Sequence, residues 1–414
     1  MVELTEMGLR ARAAARQLGC APSALRDAAL EAIAAALLER QPEILRANQA
    51  DVSKAAQNGI GEVMIDRLSL TADRIKDIAA AVRDVIRLPD PVGVVAAGIT
   101  RPNGMRVLRT RVPLGVIGMI YESRPNVTVD AAVLCLKSGN ACILRGGKEA
   151  IESNTVLAEV MQEAVASAGL PRDAIQLVTD TSHDSATAMM RLYGYIDVLI
   201  PRGSSRLIEA VVKNSIVPVI ETGTGNCHVY VDESADLGMA ADIIFNAKTS
   251  RPSVCNAAET LLVHRAVAAA FLPLAKARLD QKGVELRGCP EARAILPGIR
   301  EAVEEDFYTE FLDYILAVKV VGSLEEATAH IAQYGTRHSE AIVTESYAAA
   351  EQFMQQVDAA AVYVNASTRF TDGGEFGMGA EMGISNQKLH ARGPIGLEEL
   401  TTTKFQIYGS GQIR

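Results

Sequence analysis

Between residues 115 and 232 short apolar runs alternate with stretches of helical periodicity. GVIGMIY, ACILR, SNTVLAEVMQEAVASAG, AIQLVTD, DSATAMMRLYG, IDVLIP, SSRLIEAVVKN and VPVIE follow one another with only brief turns between them. Parallel strands cannot be joined by a tight turn and need crossover segments, which the helical stretches supply. The alternation therefore predicts βαβ units and a parallel sheet, an α/β fold.

The flanking regions read differently. Residues 1 to 88 carry apolar positions three and four apart, as in SALRDAALEAIAAALLER and TADRIKDIAAAVRDVIRL, with Thr71 a predicted N-cap. After LPDPVG come three β-like runs, and the turn Arg101–Gly104 between the first two predicts a hairpin. A second α/β stretch covers about 233 to 364 and ends in AAVYVNAST; the tail from 365 is Gly-rich and closes on the predicted strand LTTTKFQIYG. No fixed-period repeat is present. Trp is absent and aromatics make up 4%, so the core must be packed from Ala, Val, Ile, Leu and the 12 Met.

Composition excludes several function classes. A net charge of −9 gives no general attraction to nucleic acid or anionic lipid, so an anionic ligand needs a local cationic site. No run reaches the roughly 18 apolar residues of a membrane span, and the opening MVELTEMGLR lacks the apolar core of a signal peptide. The expectation is a cytoplasmic enzyme. Cysteines 20, 135, 142, 227, 255 and 289 form no C-x-x-C pair, and the six histidines make no metal-ligand spacing, so neither a disulfide framework nor a metal is expected.

The dinucleotide motif G-x-G-x-x-G and the P-loop are both missing. In their place, ILRGGKEA sets Arg145 and Lys148 beside two glycines at a strand–helix turn, and LIPRGSSRLIEA sets Gly203 and Ser204 at a helix start. VIETGTGNCHVYVD carries Glu221 and two glycines between apolar runs, where backbone passes close to a ligand or to another segment. His330 and His338 fall in HIAQYGTRHSEAI, whose polar, Gly-broken character reads as a loop suited to anion binding.

Taken in order, PLGVIGMIYESRPN, LRGGKEA, PRGSS, ETGTGNCHVYVD, SVCNAAET, TEFLDYILAV and VNASTRFTDGGEFGMG resemble the aldehyde dehydrogenase superfamily over essentially the whole chain. Residues 321 to 342, VGSLEEATAHIAQYGTRHSEAI, are similar to the signature of its γ-glutamyl phosphate reductase (glutamate-5-semialdehyde dehydrogenase) branch, with Thr328 at a usually aliphatic position. The resemblance implies an aldehyde dehydrogenase-like fold. A Rossmann-type parallel-sheet cofactor domain takes 1–99, 116–226 and about 365–390. An α/β catalytic domain takes 227–364, and a β oligomerisation arm takes 100–115 and 391–414.

Carried over by position, Cys255 matches the superfamily nucleophile and Asn126 the amide that completes its oxyanion hole. Gly203 and Ser204 match the pyrophosphate contacts, Arg145 and Lys148 the reader of the adenosine ribose, and Glu310 a nicotinamide-ribose contact. Glu221 stands where hydrolytic members keep a general base, but Thr-Gly-Thr-Gly-Asn follows it rather than Leu-Gly-Gly-Lys. Arg145-Gly-Gly-Lys148 replaces the usual Lys-Pro-Ser-Glu and so favours NADPH, because two cations stand near a 2′-phosphate. Arg251, Arg337, His338 and Arg369 are candidates for the substrate's carboxylate or phosphate. A helix starting near Asn256, with Lys248 and Arg251, is expected to favour the Cys255 thiolate.

The implied reaction is NADPH-dependent reduction of L-glutamyl 5-phosphate, the second step of proline biosynthesis, through a Cys255 thioester. A CoA-acylating or hydrolytic dehydrogenase acting on another semialdehyde is the alternative. The resemblance also implies a homo-oligomer, dimer or tetramer, and allows association with glutamate 5-kinase.

Overall fold

A computed structural model describes residues 2–414, which divide into two compact units. The first comprises 2–222, 377–383 and 395–414; the second comprises 223–376 and 384–394.

The first unit opens, as the helical reading of 1–88 expected, with helices: Val2–Leu18, Ser23–Glu39, Gln41–Gln57, Glu62–Leu68 and Ala72–Arg87, the second and last of them being the two periodic segments. Thr71 caps the last of these by accepting from Arg74 N at 3.1 Å. A four-stranded parallel sheet follows, in the spatial order Ile175–Leu177, Ala141–Arg145, Val116–Tyr121, Val198–Arg202. In chain order that is 3-2-1-4, so connections leave Val116–Tyr121 in both directions and its border with Val198–Arg202 is a topological switch point. Ligands of open α/β sheets bind beyond the carboxyl ends of strands at such a point. VPVIE contributes a single bridge, Leu199 to Val219, rather than the expected strand. Pro218 has no N–H to give a ladder, which ends the pairing there.

Val95–Thr100, Arg106–Pro113 and Thr401–Tyr408 form a separate antiparallel sheet with Arg106–Pro113 in the middle. The predicted hairpin and C-terminal strand are thus partners across nearly 300 residues of sequence. Asn140, fully buried, ties this sheet to the parallel one: its Oδ1 accepts from Gly115 N at 2.8 Å, and its Nδ2 donates to Leu400 O at 2.9 Å.

The second unit is built on a seven-stranded parallel sheet in the order Arg300–Glu301, Glu285–Gly288, Ile315–Val321, Ala258–His264, Cys227–Val231, Ser339–Val343, Ala361–Val364. Helices Leu237–Thr249 and Arg265–Leu279 cover one face; Leu324–Tyr334 and Tyr347–Gln356 cover the other. Both faces are therefore dry, and the central strands Cys227–Val231 and Ala258–His264 are buried almost throughout.

Asn140→Ala removes the acceptor of the part-buried Gly115 N–H and leaves the Leu400 carbonyl only the long bond from Leu114 N at 3.4 Å. The substitution should cost about 2 kcal/mol, read as a lower urea midpoint; an unchanged midpoint would remove Asn140 from this tethering role.

Candidate active site

In the second unit, the amino ends of four adjacent strands bring together segments that lie far apart in sequence. These are the turns before Ile315, before Ala258, before Cys227 and before Ser339. Cys255 lies in the second of them, half-buried, after the helix Leu237–Thr249 has ended. No helix starts at Asn256. Residues 252–257 are turns and bends, and Ala258 begins a strand, because ETLLVH is an apolar run matched to the sheet centre and outweighs the helical propensity of the two alanines.

Gly225 runs against this turn so closely that a Cβ there would overlap the Cys255 carbonyl. The sequence reading of a close backbone approach in ETGTGNC thus finds its partner, the backbone of Cys255. Gly225 N donates to Glu310 at 2.7 Å, and burial raises the pKa of that carboxyl. Asn226 clamps the neighbouring turns. Its Nδ2 donates to Phe307 O at 2.7 Å and Tyr334 O at 2.9 Å, and its N donates to Thr336 Oγ1 at 2.9 Å.

Lys248, expected beside the thiolate as a cation, is committed elsewhere. It is fully buried against Glu259, Nζ to Oε2 at 2.5 Å, and Glu259 Oε1 accepts from Leu312 N at 3.2 Å. Burial pushes the Glu259 carboxyl up to about 7 and the Lys248 ammonium down. The pair anchors the turn that carries Glu310, where Leu312 holds a left-handed φ of 55°.

Arg251 and Arg369 are near enough to repel each other, and Cys255 lies within the field of Arg369. Burial first, and then the Arg251 charge, lower the Arg369 pKa, while an ionised Cys255 would raise it. Arg369 Nε donates to Ser250 Oγ at 3.0 Å, and its Nη1 contacts Asn256 Oδ1. Arg337 is exposed on the turn before Ser339 with φ of 63°, a conformation that costs a non-glycine residue energy and is retained where a structure holds it in place. His338 is fully buried, with Nδ1 2.8 Å from Ser339 Oγ. His330 departs from the loop reading altogether. It lies in the helix Leu324–Tyr334, buried between Phe307, Tyr334 and His228, and burial drives its pKa down to about 2.

In the first unit, Gly203 and Ser204 follow the strand Val198–Arg202 at the switch point and start the helix Ser205–Asn214. An anion already sits there: the Glu122 carboxylate accepts from Ser204 N at 2.8 Å and Ser204 Oγ at 3.3 Å, and occupies the space above Gly203. Glu149 fills the space above Gly147 in the same way and accepts from Ser123 N at 2.7 Å. The donors therefore fit a phosphate, and a carboxylate stands in for one. Arg145 is half-buried and donates through Nη2 to Thr181 O at 2.7 Å and Ser182 O at 2.9 Å. Lys148 is exposed and forms no ion pair among the described residues. Asn126 starts the helix Pro125–Lys137 and donates to Asp130 at 3.0 Å; burial raises that carboxyl to about 6. Glu221 is half-buried at the end of this unit. Among the described residues no cluster of His, Cys, Asp and Glu could hold a metal ion.

Residues 3–292 match the aldehyde dehydrogenase family. The chain belongs to that family. This aldehyde dehydrogenase is 58% identical over 412 residues to the gamma-glutamyl phosphate reductase of Clostridium perfringens strain 13, covering 100% of this chain and 99% of that one. It is also 58% identical over 414 residues to the reductase of Carboxydothermus hydrogenoformans, covering both chains completely. The crystal structure of gamma-glutamyl phosphate reductase from Thermotoga maritima superposes with a TM-score of 0.98 at 50% identity over the whole of both chains. An acetylating aldehyde dehydrogenase from Geobacillus thermoglucosidasius, at 21% identity and a TM-score of 0.70, shares the fold. The aldehyde dehydrogenase fold and its reliance on a nicotinamide cofactor are thereby shown.

Sequence reasoning missed Glu122, Asn226, Cys227 and the Lys248–Glu259 pair. A buried ion pair 11 residues apart leaves no periodic trace when one partner ends a helix and the other begins a strand. Glu122, by contrast, directly follows a strand and adjoins SRPN, a position at which a carboxylate could have been suspected.

Lys248→Met alone strands the Glu259 carboxylate and should destabilise the enzyme by about 3–5 kcal/mol. Lys248→Met with Glu259→Leu should recover most of that loss in urea unfolding; a double variant as unstable as the single one would show that the pair's charges are not what matters.

Proposed function

We propose that this chain reduces L-glutamyl 5-phosphate to L-glutamate 5-semialdehyde and phosphate with NADPH, as the second step of proline biosynthesis from glutamate. The observation that carries this reading is full-length identity of 55–58% to relatives named gamma-glutamyl phosphate reductase. The grouping of Cys255 with Arg251 and Arg369 supports it, since an acyl phosphate brings an anion to the nucleophile.

In this reading the Cys255 thiolate attacks the acyl carbon. A C–S bond forms, the C–O bond to phosphate breaks, and phosphate leaves with the electron pair. The Asn126 amide and the Cys255 N–H stabilise the oxyanion, with each such donor worth about 3 kcal/mol in comparable sites. The cofactor, when bound, supplies hydride to the thioester carbon, and collapse of the thiohemiacetal returns the thiolate of Cys255. Arg251, Arg369 and the exposed Arg337 receive the substrate's anionic groups, with His338 buried behind them.

Gly203, Ser204, Glu221 and Glu310 hold the dinucleotide, and Glu122 yields its place on Ser204 to the pyrophosphate. Of the two cations assigned to the 2′-phosphate, Lys148 is the readier, because Arg145 is engaged with two backbone carbonyls. Glu221 has no base role in this scheme, since water must stay away from the thioester. We assign the chain to the cytoplasm as a dimer or tetramer. The exposed side chains Ile99, Phe405 and Ile407 on the antiparallel sheet invite coverage by another copy. A short-lived acyl phosphate further favours supply by an associated glutamate 5-kinase.

The reaction can be run in reverse with glutamate 5-semialdehyde and NADP⁺. Continuous turnover to NADPH should require phosphate, with no more than about one NADPH per site formed without it, and Cys255→Ala should lower the rate by at least about 1000-fold with the fold intact. Equal rates without phosphate would sink the reductase reading in favour of a hydrolytic one, and stimulation by CoA would favour a CoA-acylating one.

A further inference from the structure

The proposed chemistry uses one of two thiols at the amino edge of the second sheet and gives the other no task. Cys227 is fully buried at the start of its strand, and its Sγ lies 3.2 Å from the carbonyl oxygen of Cys255. Burial, reinforced by the Glu340 carboxylate, pushes the Cys227 thiol far up, so it remains a neutral S–H donor rather than a rival nucleophile.

Behind the thiol runs a chain of buried polar groups. His338 Nδ1 lies 3.8 Å from Cys227 Sγ and 2.8 Å from Ser339 Oγ, which in turn is 2.6 Å from Thr371 Oγ1. Tyr363 OH joins Thr371 Oγ1 at 2.7 Å. The chain then closes on the nucleophile's neighbour, because Asn256 Nδ2 donates to Thr371 O at 2.8 Å and Asn256 O accepts from Thr368 Oγ1 at 2.7 Å. The Cys255 carbonyl and the side chain and carbonyl of Asn256 are thus held by one network. Gly225 presses on the same carbonyl from the side. A turn that is neither helix nor strand has no ladder of its own to fix its peptide planes, and here the network takes over that task.

We propose that Cys227 is a positioning residue for the reaction: its S–H, backed by His338, Ser339 and Thr371, fixes the Cys255–Asn256 peptide and so the direction in which the Cys255 side chain points. The role rests on the reading that Cys255 is the nucleophile. It also gives His338 a place behind the reacting group instead of against the substrate. A thiol is a weak donor, but small errors in the placement of a nucleophile carry large losses in rate.

The test compares full-length Cys227→Ala, Cys227→Ser and Cys227→Val. Ser keeps a donor, Val restores volume without one, and Ala does neither. Two readouts are taken: kcat and the KM for NADPH, and the rate of Cys255 carbamidomethylation by iodoacetamide across pH, followed by peptide mass spectrometry. Ala and Val should lower kcat roughly tenfold or more and shift the alkylation profile, with the NADPH KM within about twofold, while Ser should return kcat to within about threefold of wild type. Wild-type kcat and alkylation in Cys227→Ala would overturn the proposal, as would equal impairment of Ser and Val. If Cys227→Ala fails to fold, the Ser–Val contrast decides alone. Alkylation needs no substrate, so it separates this inference from the assignment of the acyl phosphate. Undiminished turnover in Cys255→Ala would instead remove the nucleophile on which both depend.

Discussion

There is no room for a side chain where Gly225 crosses the Cys255 carbonyl, and much of the second unit is arranged around that crossing. It lets the turn before one central strand lie directly on the turn before its neighbour. Glu310 is then brought in through the Gly225 N–H, and Cys227, two residues on, reaches the same carbonyl. The candidate nucleophile and the candidate nicotinamide-side carboxylate are therefore tied to one glycine. Beneath them the fully buried Lys248–Glu259 pair supports the Leu312 turn. Ion pairs of this kind add little net stability over apolar replacements, so its use lies in holding one arrangement of backbone.

The first unit solves a different problem with the same economy. Its sheet places two strand ends beside each other at a switch point, and the helix start at Ser204 offers backbone and hydroxyl donors to an anion. Those donors are exposed, and the Glu122 carboxylate takes them up in place of water. A carboxylate that caps the seat keeps it formed, and it also sets a threshold that a pyrophosphate must exceed to bind.

Much of the fold was legible because it rests on periodicity. The βαβ alternation, the helical character of residues 1–88, the Thr71 cap and the hairpin all follow from local patterns, and the structure has each of them. The errors have physical causes. VPVIE failed as a strand on one missing N–H at Pro218, and NAAET failed as a helix because ETLLVH was wanted in the sheet. His330 read as a loop residue from its polar neighbours, whereas a buried site made of His228, Phe307 and Tyr334, with Lys319 Nζ 3.2 Å from its Nδ1, accepts it within a helix. Cys255, Glu310 and Gly225 could be singled out because each stands in a distinctive local string. Cys227 and the Lys248–Glu259 pair could not, since their meaning is a contact between strand ends and neither string hints at its partner. The reaction itself was readable from the order of motifs along the whole chain, and relatives named for it match the chain over its full length.

In the proposed reaction an acyl group passes through the sulfur of Cys255. Incubating the enzyme with glutamate 5-semialdehyde and NADP⁺ in the absence of phosphate should leave that group trapped, and peptide mass spectrometry would locate it. The account predicts a glutamyl adduct on the peptide containing Cys255, discharged as acyl phosphate when phosphate is added. Rapid turnover with no adduct, or an adduct on Cys227 or another residue, would contradict it.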